Sequence, residues 1–111
     1  MFTRTPLLTK CCKLLFDMYT YRTTTDFENG LRHCLRDLHK DVQVLKEALE
    51  ILTEEGKLPE SYKPHKLRDK YAGLWECHLE DDWLLVWRQN DKHLTLLLTN
   101  TGTHDELFKK K

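Results

Sequence analysis

The chain has no excess charge of either sign and no long apolar run. Lysine plus arginine and aspartate plus glutamate each number 18 among 111 residues, so the formal net charge is +0. Such a balance does not by itself predict a nucleic-acid or membrane partner, and any electrostatic effect has to be local. No apolar stretch approaches the ~18 residues that a transmembrane helix needs. The sequence therefore predicts a soluble protein without a membrane partner.

The cysteines fit neither a disulfide framework nor a zinc site, because Cys11 and Cys12 are adjacent while Cys34 and Cys77 stand alone. We therefore expect reduced thiols and a cytoplasmic location. A glycine-rich phosphate loop and a serine or cysteine in nucleophile-elbow context are also absent. The sequence thus predicts neither a bound cofactor nor covalent catalysis.

The length allows one domain with a modest hydrophobic core. Residues 1–17 are slightly similar to a targeting peptide, but we favour an N-terminal extension outside the folded domain. The domain is expected over residues 18–111, and Met18 is a candidate start.

Hydrophobic periodicity predicts the order strand, helix, helix and three antiparallel strands. The predicted elements are a strand at 19–25, helices at about 26–37 and 41–54, and strands at 74–79, 83–89 and 94–99. Asp26 is the expected N-cap of the first helix, Gly30 weakens that helix, and Gly56 ends the second. This order predicts an α+β fold with two helices on one face of a small, mainly antiparallel sheet.

Three histidines lie where a predicted loop meets the sheet, namely His65, His78 and His104. His78 and Asp82 lie at either end of a strand-turn-strand connection, where a carboxylate beside an imidazole would orient the ring for proton transfer. An ordinary solvated turn is the alternative. Phe108 follows His104 by four residues, so it would offer a flat face to a base or simply seal the sheet edge.

The remaining histidines, His33, His39 and His93, have no titratable constellation nearby in the sequence and are expected to be surface residues. Basic side chains near His65 and at the C-terminus would hold phosphate, although a charge run is more often simply solvated. These side chains are Lys63, Lys66, Arg68, Lys70, Lys109 and Lys110.

The residue types that remain are those of a ribonuclease. RNA carries its own nucleophile in the 2′-hydroxyl, so a metal-independent enzyme needs only an acid, a base and phosphate stabilisation. A metal site made of His78, Asp82 and His104 lacks a helix-borne His-x-x-x-His pair or clustered cysteines, and we expect none.

Three ordered motifs resemble the YafQ-like branch of the RelE/ParE toxin superfamily. They are LPESYKPHKL at 58–67, ECHLEDDWLL at 76–85 and TGTHDELF at 101–108. The resemblance implies a RelE-like fold and a ribosome-dependent mRNA endonuclease of a type II toxin–antitoxin pair. Its implied partners are a cognate antitoxin, the 30S A site and mRNA, with operator DNA bound only through the antitoxin.

The same resemblance implies the active-site positions His65, His78, Asp82, His104 and Phe108. The family mechanism is attack by the 2′-hydroxyl on the neighbouring phosphate, which leaves a 2′,3′-cyclic phosphate and a 5′-hydroxyl. Asp82 or His78 would be the base and His104 the acid. His65 would contact or stabilise the phosphate, and Phe108 would stack on a base.

The chain departs from the family pattern at two positions. Relatives often carry a basic or smaller polar residue where Trp75 stands, and often an arginine where Asn100 stands. These departures keep a second function open, a ParE-like or non-catalytic toxin that acts by binding a protein such as gyrase or an antitoxin. Metal-dependent hydrolysis is a third alternative.

Overall fold

Two helices pack on a mixed five-stranded sheet with strand order β1-β5-β4-β3-β2 in the computed structural model, which describes residues 18–108 except the side chain of Phe108. The elements are β1 (Thr20–Thr23), α1 (Thr25–Arg36), α2 (Val42–Glu55), β2 (His65–Lys66), β3 (Leu74–Glu80), β4 (Trp83–Asn90), β5 (Thr95–Gly102) and α3 (His104–Phe108). Two 3-10 turns flank β2, at Glu60–Tyr62 and Asp69–Tyr71. The predicted N-terminal extension, Lys109 and Lys110 lie outside the described residues. Within them, no helix is long and apolar enough to cross a bilayer.

The two long helices begin and end at recognisable capping residues. The hydroxyl of Thr24 accepts a hydrogen bond from the Phe27 amide at 3.0 Å, so the prediction of Asp26 as N-cap was wrong. Asp26 instead lies in the first turn, where a carboxylate favours the positive end of the helix dipole. α2 begins after Asp41 and ends at Gly56, whose φ of 76° requires the left-handed conformation that glycine adopts without strain.

β4 is the centre of the sheet. Residues 83–87 are all buried. Trp83, Leu85 and Trp87 face the core between the sheet and the helices, and neighbouring strands flank β4 on both edges. β3 and β5 pair with β4 antiparallel, whereas β1 pairs parallel with β5. The predicted α+β fold with a mainly antiparallel sheet is confirmed. β2 was not predicted, since two residues are too short to show a periodicity.

The core lies between the helices and one side of the sheet, and Gly30 allows the close approach of α1. A Cβ atom at Gly30 would collide with the carbonyl oxygen of Thr101 on β5. The Thr101 hydroxyl in turn accepts from the Trp83 indole at 2.9 Å and donates to the Leu84 carbonyl at 2.7 Å. The glycine that weakens the helix signal is therefore required by packing.

Alternation along the strands places the histidines of the sheet on the side turned away from the helices. Cys77 is in the core cluster with Leu85, so Glu76 and His78 point to the other side. We call this side the far face. Cross-strand register assigns to it the side chains of Arg22, His65, Glu76, His78, Leu84, Val86, Arg88, Leu97 and Asn100.

Candidate active site

His65 is held by an ion pair at the edge of the sheet. Its Nε2 lies 2.9 Å from Oε1 of Glu76, the residue opposite it in the β2–β3 pairing. The imidazole is about half exposed, at 49%, whereas the Glu76 side chain is only 6% exposed. Glu76 was not predicted as a site residue, because a single acid within an apolar strand gives no functional signal in the sequence.

Both ring nitrogens of His65 face hydrogen-bond acceptors. Nδ1 donates to the carbonyl of Lys63 at 3.0 Å, and Nε2 faces the Glu76 carboxylate. These two contacts fix the orientation of the imidazole ring at the sheet edge.

His78 lies on the far face in the row next to that of His65. His78 pairs with Leu84, which pairs with Gly102, and Gly102 is two residues before His104. The β3–β4 turn that carries Asp82 is at the same end of the sheet. The fold therefore brings His65 and His78 to neighbouring rows of the far face, and it brings Asp82 and His104 together at the end of the sheet nearest His78.

Asp82 contacts the start of α3. Its Oδ1 accepts a hydrogen bond from the His104 amide at 3.4 Å. No hydrogen bond or ion pair joins Asp82 to His78 among the residues that the structure describes, so the expected approach of these two side chains is not seen as a contact. A register shift between His78 and Glu80 separates His78 from the turn. The structure thus connects Asp82 with His104.

α3, the helix that carries His104, is held by a capping box. The Thr103 hydroxyl accepts from the Glu106 amide at 3.2 Å, and Glu106 Oε1 accepts from the Thr103 amide at 2.9 Å. A T-x-x-E spacing is the sequence signature of this arrangement. The motif TGTHDELF therefore contains both a candidate catalytic histidine and the residues that fix its helix.

His33 was wrongly predicted to have no titratable partners. Its Nδ1 lies 2.9 Å from Asp37 and its Nε2 lies 2.8 Å from Glu106, so the ring bridges α1 and α3. The hydrogen bond with Asp37, followed by that with Glu106, raises the pKa of His33. Asp37 follows at helical spacing of four, but Glu106 is 73 residues away, which no local pattern reveals.

The basic residues predicted to bind RNA are exposed around β2. Lys66 lies over the Trp75 ring with its Nζ 5.6 Å from the centroid, and Lys70 lies similarly over Tyr71 at 5.4 Å. Lys63 and Arg68 are also exposed. Phe108 belongs to α3 through its backbone, but its side chain lies outside the described part. The four basic residues near β2 are therefore accessible to solvent, and their role in RNA binding stays a prediction.

The departure at Trp75 is explained by packing. Trp75 faces the helix side and stacks on Trp87 with 6.0 Å between ring centroids. The departure at Asn100 is different, because Asn100 lies on the far face in the same row as His65, Glu76 and Val86. Trp75 therefore belongs to the core, and Asn100 belongs to the surface of the candidate site.

Metal ligation has no preformed geometry in residues 18–108. No group of three histidine, cysteine, aspartate or glutamate side chains in this range is arranged to hold an ion. Cys34 and Cys77 are free and buried, and burial raises the pKa of Cys77 to about 12, so it is a protonated thiol at neutral pH. Cys34 and Cys77 are therefore core residues.

Comparison with known proteins identifies the class. The family model described as "Bacterial toxin of type II toxin-antitoxin system, YafQ" matches residues 19–109. The mRNA interferase toxin YafQ of Escherichia coli K12 is 38% identical over 71 residues, 63% of this chain and 75% of the relative.

Solved structures agree with this match. Crystal structures of E. coli YafQ and of the E. coli DinJ-YafQ complex give TM-scores of 0.72 and 0.71 at 28% and 30% identity, each covering 81% of this chain and 98% of the other. A metal-bound toxin from Helicobacter pylori gives 0.72 at 34% identity, covering 82% of this chain and 100% of the other.

The fold and these matches define a type II toxin of RelE-like architecture. More particularly, the chain belongs to the YafQ family of bacterial toxins.

Proposed function

We propose that this toxin is a ribosome-dependent mRNA endonuclease that cleaves by attack of the RNA 2′-hydroxyl on the adjacent phosphate. The observation that supports this most is that His65 and His78 lie in neighbouring rows of the far face, while Asp82 contacts the His104 amide at the end of the sheet nearest His78. A protein that acts only by binding has no need for such a set. The name of the E. coli relatives, mRNA interferase toxin, points to the same class of activity.

The roles follow from the charges that each step creates. Asp82 or His78 takes the proton of the 2′-hydroxyl, and His104 gives a proton to the leaving 5′-oxygen. The His65 imidazolium, oriented by Glu76, offsets the negative charge that builds on the phosphorane. Phe108 provides the stacking surface for a base, and the products are a 2′,3′-cyclic phosphate and a 5′-hydroxyl.

Lys63, Lys66, Arg68, Lys70, Lys109 and Lys110 extend this proposal as contacts to RNA phosphates. The partners are the ribosomal A site with its mRNA, and a cognate antitoxin, through which alone operator DNA is bound. The solved DinJ-YafQ complexes of E. coli support an antitoxin partner. We place the protein in the cytoplasm, where ribosomes and mRNA occur.

The test is cleavage of mRNA on purified ribosomes by the wild type and by His104→Ala. Removal of one positioned acid should lower the cleavage rate by about 10²–10⁴. His93→Ala is the matched control, because His93 is exposed in the β4–β5 turn and should cut normally. A wild type that neither cuts ribosome-bound mRNA nor inhibits translation would overturn the proposal and favour a toxin that acts by protein binding.

Two further arms test the chemistry. An mRNA with a 2′-deoxyribose at the cut position should resist cleavage, because the nucleophile is missing. A chelator selective for transition metals, added with Mg²⁺ present to keep ribosomes intact, should leave the rate unchanged. Loss of cleavage in that chelator would replace the proposal by metal-dependent hydrolysis.

A further inference from the structure

An open cavity of about 340 Å³ lies on the far face near the ends of β1 and β5 that are remote from α3. It is lined by Thr20, Arg22, Arg88, Asn90, Thr95, Leu96 and Leu97. Arg22 and Arg88 both lie opposite Leu97, one from β1 and the other from β4. Two arginines thus flank one leucine across three neighbouring strands.

Among the described residues that line the cavity there are hydrogen-bond donors but no acid. Neither Arg22 nor Arg88 forms an ion pair within the described part of the chain. Asp91 is the nearest acid in sequence, but its Oδ1 accepts from the Tyr19 hydroxyl at 2.5 Å and from Gln89 Nε2 at 2.8 Å. These contacts hold Asp91 toward α2, away from the arginines. The cavity therefore keeps a net positive charge in an otherwise neutral chain.

Other lining groups extend the set of donors. Asn90 Oδ1 accepts from the amides of Lys92 and His93 at 3.0 Å each, which leaves its NH₂ group as a donor. Thr20 and Thr95, which pair across β1 and β5, add two hydroxyls. An anion in this cavity would meet guanidinium, amide and hydroxyl donors together.

Gly73 lies against Arg88. Its φ is +95°, and a Cβ atom there would lie 3.0 Å from Nη1 of Arg88. Any other residue would be strained at this positive φ, whereas the flexible guanidinium could shift to accommodate a Cβ atom. Gly73 is therefore required by the backbone conformation at the start of β3, and Arg88 lies against it.

The cavity is on the same face of the sheet as the candidate active site. Arg88 is two residues beyond Val86 on β4, and Val86 is in the row of His65, Glu76 and Asn100. Residues two apart on a strand are separated by roughly 6.7 Å along it and share a face. Arg88 is thus one row along and two strands across from His65, which puts their backbones roughly 12 Å apart, and Arg22 lies two strands further across the sheet.

We propose that Arg22 and Arg88 form a subsite for a phosphodiester group of the RNA strand, on the same face of the sheet as the histidines but not adjacent to the phosphate that is cut; this inference rests on the proposed function. Planar guanidinium groups bind phosphate with two parallel hydrogen bonds, which positions the strand as well as attracting it. Its place on the same face of the sheet as His65 and His78 favours RNA over an acidic protein segment.

The test measures binding of a single-stranded RNA with 2′-O-methyl riboses, which 2′-hydroxyl attack cannot cleave, by fluorescence anisotropy over a series of salt concentrations. Loss of one phosphate contact lowers the slope of log affinity against log salt by roughly 0.7 for single strands. The double variant Arg22→Gln/Arg88→Gln should show that decrease. Arg88→Lys should keep most of the slope, since it keeps the charge.

Arg32→Gln is the matched control. Arg32 is an exposed arginine on α1, where it donates to Asn29, and its loss should leave the slope unchanged. Thermal unfolding of each variant confirms that it is folded. Equal slopes for the wild type and the double variant, or no salt-dependent RNA binding by the wild type, would overturn the subsite. The subsite would also be overturned if the double variant lost binding to a poly-glutamate probe while its binding to RNA was unchanged.

Binding and cleavage separate this inference from the proposed function. If the wild type never cuts mRNA but the double variant lowers the salt slope of RNA binding, the subsite is supported and the endonuclease proposal fails. A chain that cuts mRNA while the double variant binds RNA with an unchanged slope keeps the endonuclease and loses the subsite.

Discussion

The pairs His65–Glu76 and His33–Glu106 have similar contact distances but differ in how deeply the carboxylate is buried. His65 and Glu76 are 2.9 Å apart at the sheet edge, and His33 and Glu106 are 2.8 Å apart between α1 and α3. The Glu76 side chain is 6% exposed, whereas that of Glu106 is 38% exposed. A buried carboxylate that loses its partner remains desolvated, but an exposed one is simply hydrated. Breaking the His65–Glu76 contact is therefore expected to cost more free energy of unfolding than breaking the His33–Glu106 contact.

The alkylation rate of Cys77, a buried thiol beside Glu76, should show the largest effect. Cys77 is next to Glu76, and burial followed by that carboxylate raises its pKa from 9.0 to about 12. Its thiolate population, and with it the alkylation rate at about pH 8, should fall by about 10³. Mass spectrometry after iodoacetamide treatment should find Cys77 unmodified in the native protein and modified after unfolding.

Cys34, next to His33, is the comparison for Cys77. Burial and then Glu106 raise its pKa as well, while Lys40 opposes the shift. Cys34 should therefore be protected in the native protein but react faster than Cys77. The reverse order of reaction rates would contradict the view that Cys77 is more strongly desolvated than Cys34.

Gly30→Ala should destabilise the packing of α1 against β5. The new methyl group meets the carbonyl oxygen of Thr101, a backbone atom that cannot move aside without shifting β5. Overpacking of this kind costs about 1–3 kcal/mol, and we expect about 2–3 here, reduced somewhat by the better helix propensity of alanine. Chemical denaturation measures the loss. Gln43→Ala, an exposed change in α2, is the control and should be nearly neutral.

His65→Ala should cost about 1–2 kcal/mol, because it leaves the buried Glu76 carboxylate without its partner while the half-exposed site admits some water. His65→Gln should recover part of this loss, since its amide can donate to Glu76. Urea denaturation of both variants measures the difference. Equal losses in the two variants would show that packing, rather than the unpaired carboxylate, sets the cost.

His33→Gln should have the smallest effect and a distinctive pH dependence. The pKa of His33 is raised in the folded state, so the folded protein holds the proton more tightly than the unfolded chain. The stabilisation is fully present below the ordinary value of 6.5 and is lost as the pH rises through the raised value. The Tm difference between wild type and variant should therefore shrink as the pH rises above 6.5.

His93→Gln serves as the control for the substitution itself, since His93 is an exposed histidine in the β4–β5 turn. Its Tm should stay close to that of the wild type. A pH-independent difference for His33→Gln would show that the bridge to Asp37 and Glu106 does not depend on the charge of the imidazole.

The two regions also differ in how much of them the sequence predicted. The motif around His65 predicted a candidate site residue, although its partner Glu76 was missed. His33 was misjudged altogether, because its contact with Glu106 spans 73 residues. Asp82 was expected beside His78, and the structure shows it at the His104 amide. The catalytic roles of His65, His78, Asp82, His104 and Phe108 stay predictions.

The sequence by itself determined the family, the order of the two long helices and the four longer strands, and the end of α2 at Gly56, because motif spacing and hydrophobic period are local properties of the chain. Only the tertiary structure decided which side of the sheet carries Glu76, how α1 holds α3 through His33, and that Arg22 and Arg88 share a cavity. These depend on strand register and on helix docking. A shift of one residue in register moves a side chain to the other face, and a periodic pattern does not specify its partner strand.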